Sequence, residues 1–311
     1  MKYRLLILIA LLCNASIDGL ANEDPAGCGN SNGPMLQVLG SGGPIADDGR
    51  ASSGYLIWIN GRSRFLIDAG GGVFLRFGEA GARFDDLDHI AISHFHTDHS
   101  TDLSALLKSG YFSQRTRKLT ISGPTAGGDY PGTDVYLERL LGQGNGAYAY
   151  LAGYLDGSAG LVKLESIEVD TRLTKSTRVY SNAATDIYVD AIGVPHGPVP
   201  ALSYRIRVGQ KSVVFSGDQN GNSGAFIEFA RGTDVLVMHM PVPENISGVG
   251  RNLHAPPSLI GKIAAETGAG TLVLSHFMAR SLENLEENLQ QIRSGFGGTL
   301  VSAFDMDCIG F

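Results

Sequence analysis

Apolar residues recur along this chain in short blocks separated by glycine-rich turns, and the rhythm of the blocks changes from residue 222 onward. Segments 35–39, 55–60, 64–68 and 89–93 are dense in Val, Ile, Leu, Phe and Tyr and predict strands, the second and third joined as a hairpin through Gly61-Arg62-Ser63. Residues 74–79 predict a short helix, and 101–109 a helix with Leu103, Leu106 and Leu107 on one face. A strand at 119–122 and a helix at 133–141 follow; 142–160, rich in Gly, Ala and Tyr, keeps neither period and could roof a pocket, with Tyr148, Tyr150 and Tyr154 as lid candidates. Strands resume at 177–180, 187–192, 203–208 and 212–216, where alternation predicts an antiparallel sheet. Beyond 222 the pattern is helix then strand: helices over 224–230, 257–267 and 282–294, strands over 235–239, 271–275 and 299–303. No linker-like run divides the chain, so one domain is expected, an α/β fold in layers with helices outside two sheets.

Composition changes this picture little: 43% hydrophobic and 18% charged residues are ordinary for a globular domain with a sizeable core. The beginning of the chain changes it more. Lys2 and Arg4, an apolar run over 5–12, and Gly19-Leu20-Ala21 form an export signal, which sets the expected division at 1–21 for the signal and 22–311 for the mature domain. Eight apolar residues are too few to span a bilayer, so no stable membrane insertion is expected, and the location is periplasmic or secreted. Without Lys2, Arg4 and Asp18, the 24 basic and 31 acidic residues become 22 and 30, a net −8. That balance lacks the basic footprint of a general nucleic-acid binder, so the expected substrate is a small-molecule ester and no nucleic acid is expected. The mature chain keeps Cys28 and Cys308, which in an oxidising compartment could join its two ends or stand as free thiols. Monomer and homodimer are not distinguished by the sequence.

The densest chemistry is His94-Phe95-His96-Thr97-Asp98-His99. Imidazole and carboxylate suit zinc and similar ions, and four such groups within six positions exceed what an ordinary surface loop carries. On an extended strand end His94 and His96 point the same way, whereas Asp98 and His99 follow the turn and can face a second ion. The spacing therefore predicts a site for two cations.

Further segments complete the pattern: Val38-Leu39-Gly40-Ser41-Gly42, Phe65-Leu66-Ile67-Asp68-Ala69-Gly70, Pro195-His196-Gly197, Phe215-Ser216-Gly217-Asp218 and Leu274-Ser275-His276-Phe277. Together with the His94–His99 cluster they resemble the metallo-β-lactamase fold superfamily, most closely its ribonuclease Z and arylsulfatase-like branch. The resemblance implies a four-layer αββα sandwich, with His94, His96 and His196 on one metal, Asp98, His99 and His276 on the other, and Asp218 bridging both. It implies two divalent ions, zinc first, with manganese or iron accepted by the same donors. Asp68 is expected behind the ligands, orienting one of them or the bridging water rather than ligating directly. His254, just before a helix, resembles a histidine that this branch uses near the leaving group; Asp98 and His254 are the residues expected to take part in the chemistry itself. Two positions depart from the branch: Pro256 stands in place of a threonine and His239 in place of a glutamate, and His239 either pairs with His254 or fills the sheet end. His89 lies outside the constellation and is expected to be structural.

Two closely spaced ions activate a water and polarise an ester, so no side-chain nucleophile is needed. The expected activity is hydrolysis of phosphoric or sulfuric esters by an exported enzyme. A lactonase or other carboxylic-ester hydrolase is the enzymatic alternative, and a metal-loaded binding protein without catalysis the non-enzymatic one.

Overall fold

A computed structural model describes residues 27–31 and 33–311. The expected export signal lies outside the described residues. The first half of the chain supplies strands β1 (Met35–Gly40), β2 (Gly54–Ile59), β3 (Arg62–Ile67), β4 (His89–Ala91), β5 (Leu119–Pro124) and β6 (Leu164–Val169). The second supplies β7 (Thr177–Asn182), β8 (Ile187–His196), β9 (Val199–Val208), β10 (Lys211–Phe215), β11 (Val235–His239), β12 (Thr271–Ser275), β13 (Thr299–Ser302) and β14 (Cys308–Gly310). They form two sheets, ordered β14-β1-β2-β3-β4-β5-β6 and β13-β12-β11-β10-β9-β8-β7. Each sheet is antiparallel where hairpins join its strands and parallel where helices do: β3 to β6 in one, β10 to β13 in the other.

The central strands are apolar on both faces because each sheet is covered on both. Along β2, Tyr55, Ile57 and Ile59 point to the core between the sheets, while Leu56 and Trp58 point outward to a helical layer. The same period of two divides β11: Val235 and Val237 face the sheet interface, Leu236 and Met238 the opposite helices. On the first sheet the outer layer includes α1 (Val73–Glu79), α2 (Thr97–Ser100), α3 (Leu103–Gly110), α4 (Thr133–Leu141) and α5 (Gly153–Asp156). On the second, α6 (Gly224–Ala230), α7 (Gly248–Leu253), α8 (Pro257–Thr267), α9 (Ala279–Leu282) and α10 (Leu285–Gly295) follow. The architecture is the expected αββα sandwich.

Strand β14 returns the end of the chain to the edge of the first sheet, pairing antiparallel with β1, and Cys308 forms a disulfide with Cys28, 280 positions earlier. No helix among the described residues is long and apolar enough to cross a membrane.

Several expected bounds shift. The helix expected over 101–109 is α3, and a further short helix, α2, precedes it, so Asp98 and His99 lie within a helical turn rather than in a loop beyond the strand. The strands expected over 187–192 and 203–208 are longer, a ten-residue hairpin arm each, with His196 paired to Val199 at the tip. The 142–160 stretch does not form a lid over the metal-type cluster. Tyr154 is buried and donates its hydroxyl to the Leu107 carbonyl, while Tyr148 and Tyr150 lie at the surface near Lys108.

Candidate metal centre

The loops after the strand ends carry the ligating side chains to one edge of the sandwich. Gly217 takes a left-handed φ of 58° or less, at 57°, and a Cβ there would collide with the Leu202 carbonyl, so glycine is what allows the chain to turn Asp218 inward. Asp68 and His276, neither of them glycine, also sit at positive φ, 58° and 56°. Strained positions of this kind persist where surrounding contacts hold them, and here they aim two side chains at the same centre.

All seven expected ligands converge. His94 Nε2 is 2.9 Å from His96 Nδ1, and His99 Nε2 is 3.1 Å from His276 Nε2. Asp98 Oδ2 lies 3.2 Å from His276 Nε2 and 3.5 Å from His99 Nε2. Between the two groups sits Asp218, whose Oδ2 is 3.5 Å from His196 Nε2, 3.8 Å from His99 Nε2 and 3.9 Å from His94 Nε2. His94, His96, His196 and Asp218 form one set of donors compact enough for a cation; His99, Asp218, His239 and His276 form another. The second set contains His239, which was not among the expected ligands, and Asp98 flanks it.

The outer nitrogens settle which ring atoms face inward. The His99 Nδ1–H donates to Asp68 Oδ2 at 2.7 Å and the His196 Nδ1–H to the Leu253 carbonyl at 3.0 Å, so both rings turn Nε2 to the centre. Asp68 is held in turn by the Ser93 backbone N–H at 2.7 Å and the Ser93 hydroxyl at 2.9 Å, which places it where the sequence reading put it, behind His99. His196 Nε2 is buried and has no hydrogen-bond partner among the described residues.

Charge at the centre follows from these contacts. Burial opposes the ionised form of Asp98 and Asp218, but the surrounding imidazoles outweigh it: the Asp98 carboxyl falls to about 2 through its hydrogen bond with His276 and the charge of His99, and Asp218 falls well below the carboxylate range through His276, His254 and His99. The carboxylates pull protons onto two rings in spite of burial, His99 rising to about 9 beside Asp68 and Asp218, and His276 rising beside Asp218. Burial disfavours charge on three more rings, lowering His254 to about 3, His239 to about 4 and His94 well below the usual value. Ionised carboxylates, ring nitrogens turned inward whose protons a divalent cation would displace, and an unpartnered buried nitrogen fit the metal ions that the sequence implies.

His239 does not pair with His254, nor does it merely fill the sheet end. Its Nδ1 is 2.7 Å from Asp218 Oδ1 and its Nε2 3.0 Å from the Tyr55 hydroxyl. His254 comes within 4.0 Å of Asp218 Oδ2 through Nδ1 and lines the opening. His89 is away from the centre, hydrogen-bonded to Thr120 and Ser122 between the sheets, as a structural role requires.

Above the cluster lies a cavity of about 480 Å³ with Pro44, Phe95, Leu253 and Met278 as apolar wall and Arg280 as its one arginine. Arg280 Nε–H donates to the Pro241 carbonyl at 2.8 Å, which fixes the guanidinium beside the opening. Arg280 and Tyr55 were missed in the sequence, because neither lies in a ligand-like motif; only position, four residues after His276, singles Arg280 out. A larger hollow of about 580 Å³ beside Cys308 and Trp58 contains no histidine, so size is not the guide to the site.

The sandwich and its edge of histidines and aspartates define a metal-dependent hydrolase. Residues 63–277 match the family model described as a β-lactamase superfamily domain, and the chain belongs to that superfamily, in its metallo-β-lactamase fold. It is 28% identical over 267 residues to a Ribonuclease Z of Mycolicibacterium paratuberculosis, covering 81% of this chain and 90% of that protein. Among solved structures it resembles the metallo-β-lactamase fold protein YhfI from Bacillus subtilis, with a TM-score of 0.68, 21% identity, and coverage of 89% of this chain and 99% of that one. It also resembles the short form of human tRNase Z, with a TM-score of 0.66, 17% identity, and coverage of 89% and 98%.

These relatives overturn one expectation. Nucleic acid cannot be struck from the partners of a chain whose similar proteins are named for ribonuclease activity. The acidic total charge misled because net charge describes the whole surface, whereas a phosphodiester is met by the local field of the centre and a few placed cations.

Proposed function

We propose that this protein is a two-metal phosphodiesterase whose substrates include RNA or smaller nucleotide-like diesters. The observation that carries the reading is the convergence of His94, His96, Asp98, His99, His196 and His276 with Asp218 between them, and His196 Nε2 left bare in the protein interior. In this reading His94, His96 and His196 hold one cation, Asp98, His99 and His276 the other, and Asp218 both. Zinc is the first candidate, with manganese or iron open to the same donors. Such a pair supplies Lewis acidity and a nucleophilic water at neutral pH.

The chain's own residues do the rest. Asp68 keeps His99 in the tautomer that presents Nε2. Arg280 offers its remaining N–H groups to a non-bridging oxygen of the substrate, and the apolar wall takes the flanking base or aryl group. His254, neutral because it is buried, donates one N–H to the departing oxygen; Asp98 orients the opposite side of the centre through His276. Similarity to a Ribonuclease Z over 90% of its length supports phosphodiester over sulfate esters. The apolar wall favours a second reading, hydrolysis of a lactone or other carboxylic ester by the same centre. Export through residues 1–21 and a mature domain over 22–311 belong to the same proposal, supported by the Cys28–Cys308 disulfide, which suits an oxidising compartment.

The test is a substrate panel with the metal-loaded protein: a bis-aryl phosphate, a precursor RNA with a 3′ extension, an aryl sulfate and a lactone. Turnover of the phosphodiesters is the expected result. Activity confined to the lactone or the sulfate would overturn the phosphodiesterase reading, and N-terminal sequencing of exported protein that finds Met1 retained would overturn the signal.

A further inference from the structure

We infer that His239 is a positioning residue that clamps Asp218 through Oδ1, leaving Oδ2 alone to be shared between two cations. The inference rests on the two-metal reading above. His239 ends β11, fully enclosed, and its ring stacks on His276 with centroids 4.7 Å apart. Its Nδ1 meets Asp218 Oδ1 at 2.7 Å, and behind it Nε2 meets the Tyr55 hydroxyl at 3.0 Å, which lies 2.9 Å from Ser275 Oγ. The chain of contacts thus runs from the bridging carboxylate across the sheet interface to β2 and β12.

Partners on both ring nitrogens separate a clamp from a ligand. The 2.7 Å between His239 Nδ1 and Asp218 Oδ1 is the length of a charge-assisted hydrogen bond. With Nε2 engaged by the Tyr55 hydroxyl, His239 turns no free nitrogen to the centre. The inward contacts of the expected ligands are longer where Asp218 is concerned: 3.5, 3.8 and 3.9 Å, all to Oδ2. Asp218 is therefore divided, Oδ1 turned to the His239 donor and Oδ2 to the three imidazoles. His276 Nε2, 3.4 Å from Oδ1, is the one expected ligand on the clamped side, and it also reaches Asp98.

The experiment compares wild type, His239→Ala, His239→Asn and Tyr55→Phe as full-length mature proteins. Bound zinc is counted after dialysis against buffered zinc, affinity is measured by chelator competition, and the cobalt-substituted proteins are compared by visible absorption. Loss of an outer partner typically weakens metal affinity 10–100-fold. His239→Ala should show that loss and an altered cobalt spectrum, while His239→Asn, whose amide N–H stands where Nδ1 did, should recover most of the affinity and the wild-type spectrum. Tyr55→Phe should fall between them. If His239→Asn alters the cobalt spectrum as much as His239→Ala and both bind one ion fewer than wild type, His239 is a ligand and the inference fails. It also fails if His239→Ala binds two ions with unchanged affinity and spectrum; should His239→Ala not fold, His239→Asn and Tyr55→Phe decide in the same way. A wild-type protein that binds fewer than two ions overturns the two-metal reading itself, a result separable from both.

Discussion

Asp68→Asn isolates the part of the centre that lies behind the ligands. The native carboxylate accepts from the Ser93 backbone N–H at 2.7 Å, the Ser93 hydroxyl at 2.9 Å and His99 Nδ1–H at 2.7 Å. Asparagine has the same shape and tolerates the left-handed backbone at φ 58°, so the fold should survive. Its amide oxygen must stay with the fixed Ser93 N–H, which turns the NH2 group toward His99. His99 then accepts at Nδ1 and carries its proton on Nε2, the atom 3.1 Å from His276 Nε2, and that nitrogen can no longer ligate. One charge-assisted hydrogen bond of about 1.5–3 kcal/mol is lost, which corresponds to roughly 10–150-fold; outer partners of metal ligands typically cost 10–100-fold in affinity. Zinc competition with a chromophoric chelator measures the effect, beside a thermal melt of the metal-free protein. The expected result is weaker zinc binding by about one to two orders of magnitude with little change in the metal-free melt. Unchanged affinity would refute the tautomer argument.

His254→Ala should lower kcat mainly for substrates with poor leaving groups, and an equal loss across a series of aryl phosphates would remove the residue from the departing oxygen. Replacing both Cys28 and Cys308 by serine releases a loop spanning 280 positions; the loop-entropy relation puts the cost at about 5–6 kcal/mol, with measured values commonly nearer 2–5. Urea unfolding checks it, and no loss of stability in the double variant would contradict the role given to the bridge. His89 is lowered to about 3 by burial, whereas in the unfolded chain it takes up a proton near 6.5, so the unfolded state binds the extra proton between those values. Stability should therefore fall as pH drops from about 6.5 toward 3, by on the order of a few kcal/mol from this group, and His89→Gln should flatten that slope; an unaltered slope would assign the acid sensitivity elsewhere.

The strands that bury both faces were legible because their residues are apolar in unbroken runs, as along 55–59 and 235–238. Strand β6 was not read: Glu165, Ser166 and Glu168 face outward at a sheet edge, and only Leu164 and Val169 are buried. Strand β14 has three residues, too few for any period, and α7 buries none of its side chains, so neither carries an apolar signal. The hairpin arms of β8 and β9 were cut short because Pro195 and Pro200 argue against strand interiors, yet the pair lies at the open tip where the prolines face each other across the ladder. At the centre, the density of ligands in 94–99 and the strand-end positions of His196, Asp218 and His276 were readable. Tyr55, Arg280 and the orientation of His239 depend on which side chains meet across sheets, and no local pattern encodes that.

The account rests most directly on two cations that work together. Metal-free protein should be titrated with zinc while bis-aryl phosphate turnover is followed and bound zinc is counted in the same samples. Activity that rises with the second equivalent, saturates at two ions per chain and disappears with a chelator is the expected result. Saturation at one ion, or turnover that persists in the metal-free protein, would contradict it.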